Sequence, residues 1–580
     1  MHPNEENQSS AVDKKHDYGE NDASRKSSRH EEPSSQFNAQ DDAEQEDSTS
    51  TRTRTDKDQD RTAASEATYG HGEFKSGYLS MGGGKPHPPK LLGENEAYLV
   101  DFDGPDDPSH PHNWPMRTRI IIHAVMSYTT FAVTFASAIY SPAVPKIAEH
   151  FSVSSEVATL GVSLYVLGFV FGPIVWGPLS EYIGRRIPLV TACFGCMVFQ
   201  FAVAVSKDLQ SVMINRFFAG FFGVSFLTIC GAVCADLFDS KIRGLAITVY
   251  TLCVFIGPLV APFVGGFIVA SHLGWRWTQY IAGIMCALAL VLNVFLLRES
   301  YVPIILTNKA KRLRQQTKNW AIHSKLEETE VNLKDVLNRY FLRPLHMLLV
   351  EPIVLLMSLY ASFIYGLLYL FLTAFSFIFQ GVYEMKPGVS GLPELSAVVG
   401  CAVTLVVMIL RAPRYRRKLE ANNGVAIPEW RLPEAMVGGV FFAGGLFWLG
   451  WSGYREEVHW MVPVIGGAVT GFGISLVFLQ QFNYLIDAYT QLAASALAAN
   501  VFLRSIFGAV FPLFASYMFK GIGIQWSLTL LGCVTSLLAL VPFVLHFKGA
   551  QIRSISKYIP KENLQVTLPK PATARNARSA

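Results

Sequence analysis

Apolar stretches of about 18 to 25 residues recur along the chain, separated by short polar segments. An α-helix of about 20 apolar residues crosses the roughly 30 Å hydrocarbon core of a bilayer. The pattern therefore predicts an all-α membrane protein with twelve transmembrane helices. The predicted spans are Ile120–Tyr140, Val157–Leu179, Ile187–Val205, Leu209–Cys230, Ala246–Ala270, Tyr280–Leu297, Ile353–Phe379, Ser396–Arg411, Ala435–Trp451, Val462–Asn483, Leu492–Phe519 and Ser527–Phe547.

The longest internal polar stretch, residues 300–345, follows the sixth span and divides the spans into two groups of six. Such a layout is typical of a duplicated transporter, and it predicts two pseudo-symmetric six-helix bundles, 114–299 and 346–548. The stretch between them is basic around Lys309 and acidic around Glu327. We interpret it as a cytosolic linker, with a lipid-binding basic patch as the alternative.

The two ends of the chain are polar. From Met1 to Tyr69 there is no Leu and no Ile, so this stretch cannot bury enough apolar surface to offset the entropy of ordering. We expect residues 1–113 to form a disordered tail and residues 549–580 a second tail. The loops after the even-numbered spans carry more Lys and Arg than the others, for example Arg185 and Arg186. This bias predicts that both tails are cytosolic.

The composition narrows the class of protein. Half of the residues are hydrophobic and 16% are charged, against about a quarter in soluble domains. The net charge of +4 is too small to indicate a nucleic-acid partner. Gly82-Gly83-Gly84-Lys85 does not match the phosphate-binding loop of ATPases, so we do not expect transport powered directly by ATP. Cys193 and Cys196 lie mid-span without a second pair or a nearby His, so we expect them to pack between helices and not to bind a metal. We also expect no cofactor and no enzyme activity.

The segment after the second span carries a charged cluster. It contains Glu181 at the membrane boundary, Gly184 at a turn, and Arg185 and Arg186 at the membrane face. It resembles the first cytosolic loop of the major facilitator superfamily, G-x-L-x-D-x-x-G-R-[RK], with Glu181 in place of the aspartate. The resemblance implies that Glu181, Arg185 and Arg186 form a gate that holds the two six-helix bundles in one conformational state and releases them in the other.

Arg216 lies inside the fourth span, where an unpaired cation is costly and must face a partner or a water-filled cavity. It resembles the superfamily's span-four arginine, which implies a role in proton coupling; a structural hydrogen-bonding role is the alternative.

The fifth span is rich in Gly and Pro, which kink a helix and allow close packing. It resembles the antiporter motif of drug:proton exporters and therefore favours export over uptake. The positions concerned are Gly257, Ala261, Pro262, Gly265 and Gly266, with Ala261 replacing a motif glycine.

Segments of the second half, including Pro428–Leu432 and Asn483–Tyr489, resemble the fungal twelve-span drug:proton antiporters, a group of multidrug and polyamine exporters. The resemblance extends from Asn113 to Tyr558. Polar side chains within spans usually face the bundle interior, which predicts a substrate cavity. The residues expected to line this cavity are Tyr365, Tyr369, Gln480, Asn483, Asn500 and Arg504. Asp487 and Glu351 are two further residues expected to serve proton coupling or gating.

Two of these assignments have simpler alternatives. Tyr365 and Tyr369 share a helix face and suit amphipathic or cationic substrates, but tyrosines also occur as packing or interfacial residues. Glu351 precedes Pro352, and a carboxylate that stabilises the first turn of its helix is the simpler interpretation.

The sequence thus predicts a monomeric, proton-coupled efflux transporter of the plasma membrane that exports amphipathic drugs such as azole antifungals. Its expected partners are small molecules, protons and the lipid bilayer. A polyamine exporter and a secondary-metabolite efflux pump are the alternatives. A transporter-like nutrient sensor, which would signal through the long tail, is a rival of another class.

Overall fold

The computed structural model describes residues 80–83, 95–328, 338–422, 426–489 and 492–558. This part of the chain is helical, apart from turns and a bridge between Leu99 and His323. We number the membrane-spanning helices α1 to α12. The first ten are α1 Met116–Ala138, α2 Ser155–Tyr182, α3 Arg186–Val205, α4 Leu209–Leu237, α5 Ser240–Ala270, α6 Arg276–Leu296, α7 Pro352–Ser376, α8 Leu395–Ala421, α9 Leu432–Ser452 and α10 Met461–Ala488.

The last two spans follow one another without a loop. Ala493–Ile555 is a continuous apolar helical segment of 63 residues, the last of eleven such segments among the described residues. At 1.5 Å per residue it would be about 95 Å long, three bilayer cores, if it were straight. Gly523, with φ 79° and ψ 165°, breaks it, and the Ser527 hydroxyl donates to the Met518 carbonyl across the reversal (3.1 Å). The segment therefore forms two spans, α11 (493–522) and α12 (524–538, continued by Leu540–Ile555).

The two groups of six helices repeat a close contact. Gly168 of α2 and Gly220 of α4 lie so near the facing backbones that a Cβ on either would overlap them. Gly400 of α8 and Gly471 of α10 make the equivalent contact in the second group. Small residues allow helix backbones to approach in a membrane, where lipid gives no hydrophobic drive for association. The shared position of these pairs reflects the pseudo-symmetry of the two halves.

Three sets of helices join the halves. The α1 residue Ser137 meets Tyr369 of α7, and Val166 of α2 lies beside Gly508 of α11. In the third set, Phe255 of α5 stacks edge-on against Phe478 of α10, with ring centroids 4.8 Å apart, and α5 also packs against α8. The interface therefore contains the spans that carry most of the predicted site residues.

The predicted disorder of residues 1–79 and 84–94 lies outside the described residues. In residues 95–113 the structure differs from that prediction. Tyr98 and Val100 pack with Ala310 and Leu313 of the helix Val302–Thr317, which lies between the halves in sequence. Lys309 of the same helix donates to the Asp101 carbonyl and pairs with the Asp103 and Asp107 carboxylates. These residues fold because the linker supplies an apolar face and a countercharge.

Candidate functional site

Arg216 of α4 is fully buried and is held by backbone oxygen atoms. Its guanidinium donates to the carbonyls of Gly161 (2.9 Å), Ala136 (2.8 Å) and Ser137 (2.9 Å). It also lies over the rings of Tyr140 and Tyr165, with 4.9 and 4.4 Å from the guanidinium carbon to the ring centroids. Within the described chain it has no carboxylate partner. The buried charge is thus stabilised by charge-assisted hydrogen bonds and aromatic faces.

A row of hydroxyl groups leads from Arg216 into the second half. The Ser137 hydroxyl lies 2.9 Å from the Tyr369 hydroxyl, which lies 3.5 Å from that of Tyr365. The guanidinium of Arg504, from α11, then lies over the Tyr365 ring at 5.0 Å. The structure therefore brings Arg216, Tyr365, Tyr369 and Arg504 together in one cluster shared by both halves. We call these four residues and Ser137 the central cluster.

Several buried polar atoms of α7, α10, α11 and the segment after α1 have no hydrogen-bond partner among the described residues. They are Nε of Arg504, the hydroxyls of Tyr140 and Tyr360, and polar atoms of Gln480, Gln481 and Asn483. Such atoms are rare in cores and call for water or a ligand. Gln480 and Asn483 share a face of α10, as predicted, whereas Asn500 donates to the Ser358 hydroxyl at 3.5 Å.

In the predicted gate after α2, Arg185 and Arg186 contact two carboxylates from other parts of the chain. Arg185 pairs with Asp236 of α4 (3.2 Å), and the backbone N–H groups of Arg185 and Arg186 donate to the Glu299 carboxylate. Gly184 has φ 98°, and a Cβ there would lie 2.5 Å from a Glu299 oxygen. Sequence analysis missed both carboxylates. Their position, each within a few residues of a predicted cytosolic span end, was the available signal.

Asp487 and Glu351 are both engaged in contacts at the predicted cytosolic ends of their helices. Asp487 pairs with Arg431 at 3.0 Å. Glu351 makes no side-chain cap of α7; its carboxylate instead accepts from the hydroxyls of Tyr489 (2.9 Å) and Ser556 (2.5 Å) and the N–H of Lys557 (2.8 Å). Burial beside Glu351 raises the pKa of the Tyr489 hydroxyl, which therefore remains a donor. Glu351 thus fastens the segment after α12 to α7 and α10.

The antiporter-motif helix α5 packs on α1 and on the turn before α8. Gly257 lies against Thr134 and Phe135, and Gly265 lies against Ile139 of the same helix. On the other side, a Cβ on Gly266 would lie 2.6 Å from the Pro387 carbonyl oxygen. Gly391 is equally close to Phe263, the residue after the buried motif positions Ala261 and Pro262. Gly266 and Gly391 therefore let α5 and the turn before α8 close the predicted outer side between the halves, whereas Gly257 and Gly265 pack within the first half.

We expect Gly266→Val to lower the transport rate about 5- to 150-fold, because overpacking of about 1–3 kcal/mol would penalise the state in which α5 and the turn touch. The measurement is the initial rate of substrate movement in vesicles, with protein amount determined by immunoblot. The matched control is Gly444→Val in α9, since no atom lies within 4 Å of a Cβ there. Equal rates for the two variants would contradict the proposed closure.

Glu394, at the start of α8, was missed by sequence analysis. It follows the turn that contacts α5, its side chain is 3% exposed, and its Oε2 has no hydrogen-bond partner in the described part of the chain. The sequence offered a weak signal, because Gly391-Leu392-Pro393-Glu394 is typical of an exposed loop. Glu394 is therefore a buried carboxyl group without a countercharge at the predicted outer side.

The twelve-helix arrangement and its central cluster can be compared with known proteins. The family model described as Major Facilitator Superfamily matches residues 126–512. The chain belongs to this superfamily. Membership confirms the predicted fold and identifies a multi-pass membrane transporter of small molecules rather than an enzyme.

Fungal relatives from this superfamily are similar over most of the chain. It is 48% identical over 480 residues to the multidrug transporter FLU1 of Candida albicans, covering 82% of this chain and 78% of the relative. It is 42% identical over 479 residues to the multidrug transporter TPO1_2 of Candida glabrata (82% of each chain). A citrinin biosynthesis cluster transporter of Monascus ruber is 42% identical over 468 residues (80% and 93%). The predicted resemblance to fungal multidrug transporters is confirmed.

Solved superfamily structures share the fold. The proton:xylose symporter XylE gives a TM-score of 0.55 at 16% identity, with 75% of this chain and 97% of that one covered. The human organic anion transporter MFSD10 gives 0.53 at 16% identity, with 75% and 100% covered. Among the described residues there is no group of three or more side chains suited to hold a metal ion.

Proposed function

We propose that this protein is a proton-coupled exporter of amphipathic drugs, azole antifungals among them, in the plasma membrane with both tails cytosolic. The observation that carries the proposal is the central cluster, in which both halves contribute to one buried polar site. The similarity of the chain to named multidrug transporters supports the substrate class. The Lys- and Arg-rich loops after the even-numbered spans support the orientation.

The central cluster suits a transporter that alternates between two states. The contact between Ser137 and Tyr369 joins α1 to α7, so it must break when one half rocks against the other. A single neutral hydrogen bond contributes about 0.5–1.5 kcal/mol, which is small enough for a bound substrate to offset. We infer that substrate binding at Tyr365 and Tyr369 changes the balance between the two states.

The proton site requires a carboxyl group that gains and loses its charge during the cycle. Asp487 has the countercharge of Arg431, and the Glu351 carboxylate accepts hydrogen bonds from three donors. Glu394 has neither, and an unpaired buried carboxyl group favours its neutral, protonated form. We propose Glu394 as the residue that takes up a proton from outside.

The charges of the central cluster help to rank the substrates. A polyamine site needs several carboxylates or open aromatic faces, whereas the cluster carries Arg216 and Arg504 and no carboxylate. Two buried cations repel a polycation. Drug export is therefore the better supported function, and the similarity to the transporter of the citrinin cluster makes secondary-metabolite export the second candidate.

The test is expression of the chain in a yeast strain that lacks its own drug pumps. Growth is scored on fluconazole, cycloheximide and spermine, and drug efflux is measured in inverted vesicles with and without a proton gradient. We expect resistance to the drugs without spermine tolerance, and efflux that stops when a protonophore collapses the gradient. Efflux that continues unchanged after collapse would refute proton coupling, and spermine tolerance alone would refute the substrate class.

A further inference from the structure

A crevice separates the halves at their predicted cytosolic end. It lies between Ile242–Thr248 of α5 and Met408–Leu419 of α8, and it is bordered by Trp430 and Glu434. It contains about 1070 Å³ of unfilled space, including its open mouth. No residue of the central cluster lines the crevice, and of the residues predicted to form the substrate cavity it contains Gln480.

The mouth of the crevice is basic. Arg411, Arg414, Arg416, Lys418 and Arg431 line it, against the single lining carboxylate Glu434. Of these charges, Arg431 is neutralised by Asp487, and Arg411, whose side chain is 51% exposed, lies 4.0 Å from Glu434. Arg414 and Arg416 are exposed and have no acidic partner in the described structure. The mouth therefore keeps an excess of positive charge, which attracts anions.

The lining of the crevice also contains apolar side chains and one buried amide. Met408, Leu245 and Leu419 are among the apolar lining residues, and the Gln480 amide of α10 lies 3.3 Å from the Met408 sulfur. Gln480 is 1% exposed, and its Oε1 has no hydrogen-bond partner among the described residues. A lipid acyl chain would leave that oxygen unpaired, whereas a compact organic molecule with a donor group would satisfy it.

We propose that the crevice is a binding site for amphipathic organic anions, with the anionic group at Arg414 and Arg416 and the apolar body toward Gln480. This inference rests on the proposed export function and adds a charge preference to it. Among amphipathic molecules of similar shape, anions should bind more tightly than cations.

The test uses the purified full-length protein and two dyes that share a xanthene frame, anionic fluorescein and cationic rhodamine 123. Binding is followed by fluorescence anisotropy. We expect fluorescein to bind at least about tenfold more tightly, and its Kd to rise about fivefold when Arg414→Gln and Arg416→Gln are combined. The double variant should also flatten the salt dependence of binding. Equal affinity for the two dyes in the unaltered protein would overturn the proposal without any variant.

Two variants separate the roles of the lining residues. Arg417→Gln removes an exposed arginine that does not line the crevice, so it should change the Kd by less than about twofold. Gln480→Leu should weaken fluorescein binding while leaving its salt dependence intact, because it removes a hydrogen bond and no charge. Equal losses in Arg417→Gln and in the double variant would show a general surface effect and contradict a built site.

A last arm distinguishes a transported anion from an anionic lipid. In vesicles, fluorescein should be exported in preference to rhodamine 123. Fluorescein that binds without being exported, and is displaced by phosphatidylglycerol in mixed micelles, would assign the crevice to a lipid and overturn the proposal. If the two dyes bind equally, or if the crevice binds a lipid, gradient-driven azole efflux should still be observed. If the proposed export function is wrong, that efflux should be absent.

Discussion

Arg216→Ala should abolish drug resistance and lower gradient-driven export at least about 100-fold, or about 2.7 kcal/mol. The substitution leaves the carbonyls of Gly161, Ala136 and Ser137 without their donors. It also empties the space between the rings of Tyr140 and Tyr165. Each unsatisfied buried acceptor costs about 1–3 kcal/mol, so the expected loss exceeds what one hydrogen bond contributes. Export is measured in vesicles at equal protein amount.

Arg216→Lys separates the role of the charge from that of the fold. Lysine retains the cation but cannot direct donors to all three carbonyls from a planar group. If Arg216 serves coupling, this variant should exchange labelled substrate across the membrane at a near-normal rate while gradient-driven export falls. Loss of both activities with normal protein amount would instead assign Arg216 to substrate binding. Normal resistance in Arg216→Ala would exclude either role.

Glu394→Gln should reduce gradient-driven export to the rate measured without a gradient, at least about a tenfold loss. Glutamine has nearly the shape of a protonated glutamate but cannot release a proton. The site is 3% exposed and holds no countercharge in the described part of the chain, so the neutral amide should not disturb packing. The measurement is the response of vesicle export to an imposed pH difference, together with substrate exchange without a gradient, which should persist.

The matched control is Glu384→Gln, an exposed carboxylate in the same connection between α7 and α8. It should export at the normal rate with an unchanged response to pH. A Glu394→Gln protein that still responds to the pH difference would remove Glu394 from the proton path. The next candidates would then be Asp487 and Glu351, whose partners would have to separate during the cycle.

The spans and most of their order were accessible from the sequence, since a bilayer demands about 20 apolar residues per helix whatever the packing. The last pair was also predicted, although α11 and α12 meet at Gly523 without a polar loop. The motif positions Arg185, Arg216 and Gly266 were also accessible, because charge or glycine within an apolar background is conspicuous. Local composition is sufficient for these features.

The contacts that give these residues their surroundings were decided by the tertiary structure. Ser137 meets Tyr369 from 232 positions away, and Glu351 meets Ser556 from 205. Glu394 has the sequence context of a loop residue, yet the folded protein buries it at the start of α8, where its Oε2 has no hydrogen-bond partner in the described part of the chain. Burial and hydrogen bonding depend on which helices become neighbours. The sequence by itself determined where polar groups enter the membrane, and only the packing of the two halves decided which are paired and which remain available to a proton or a substrate.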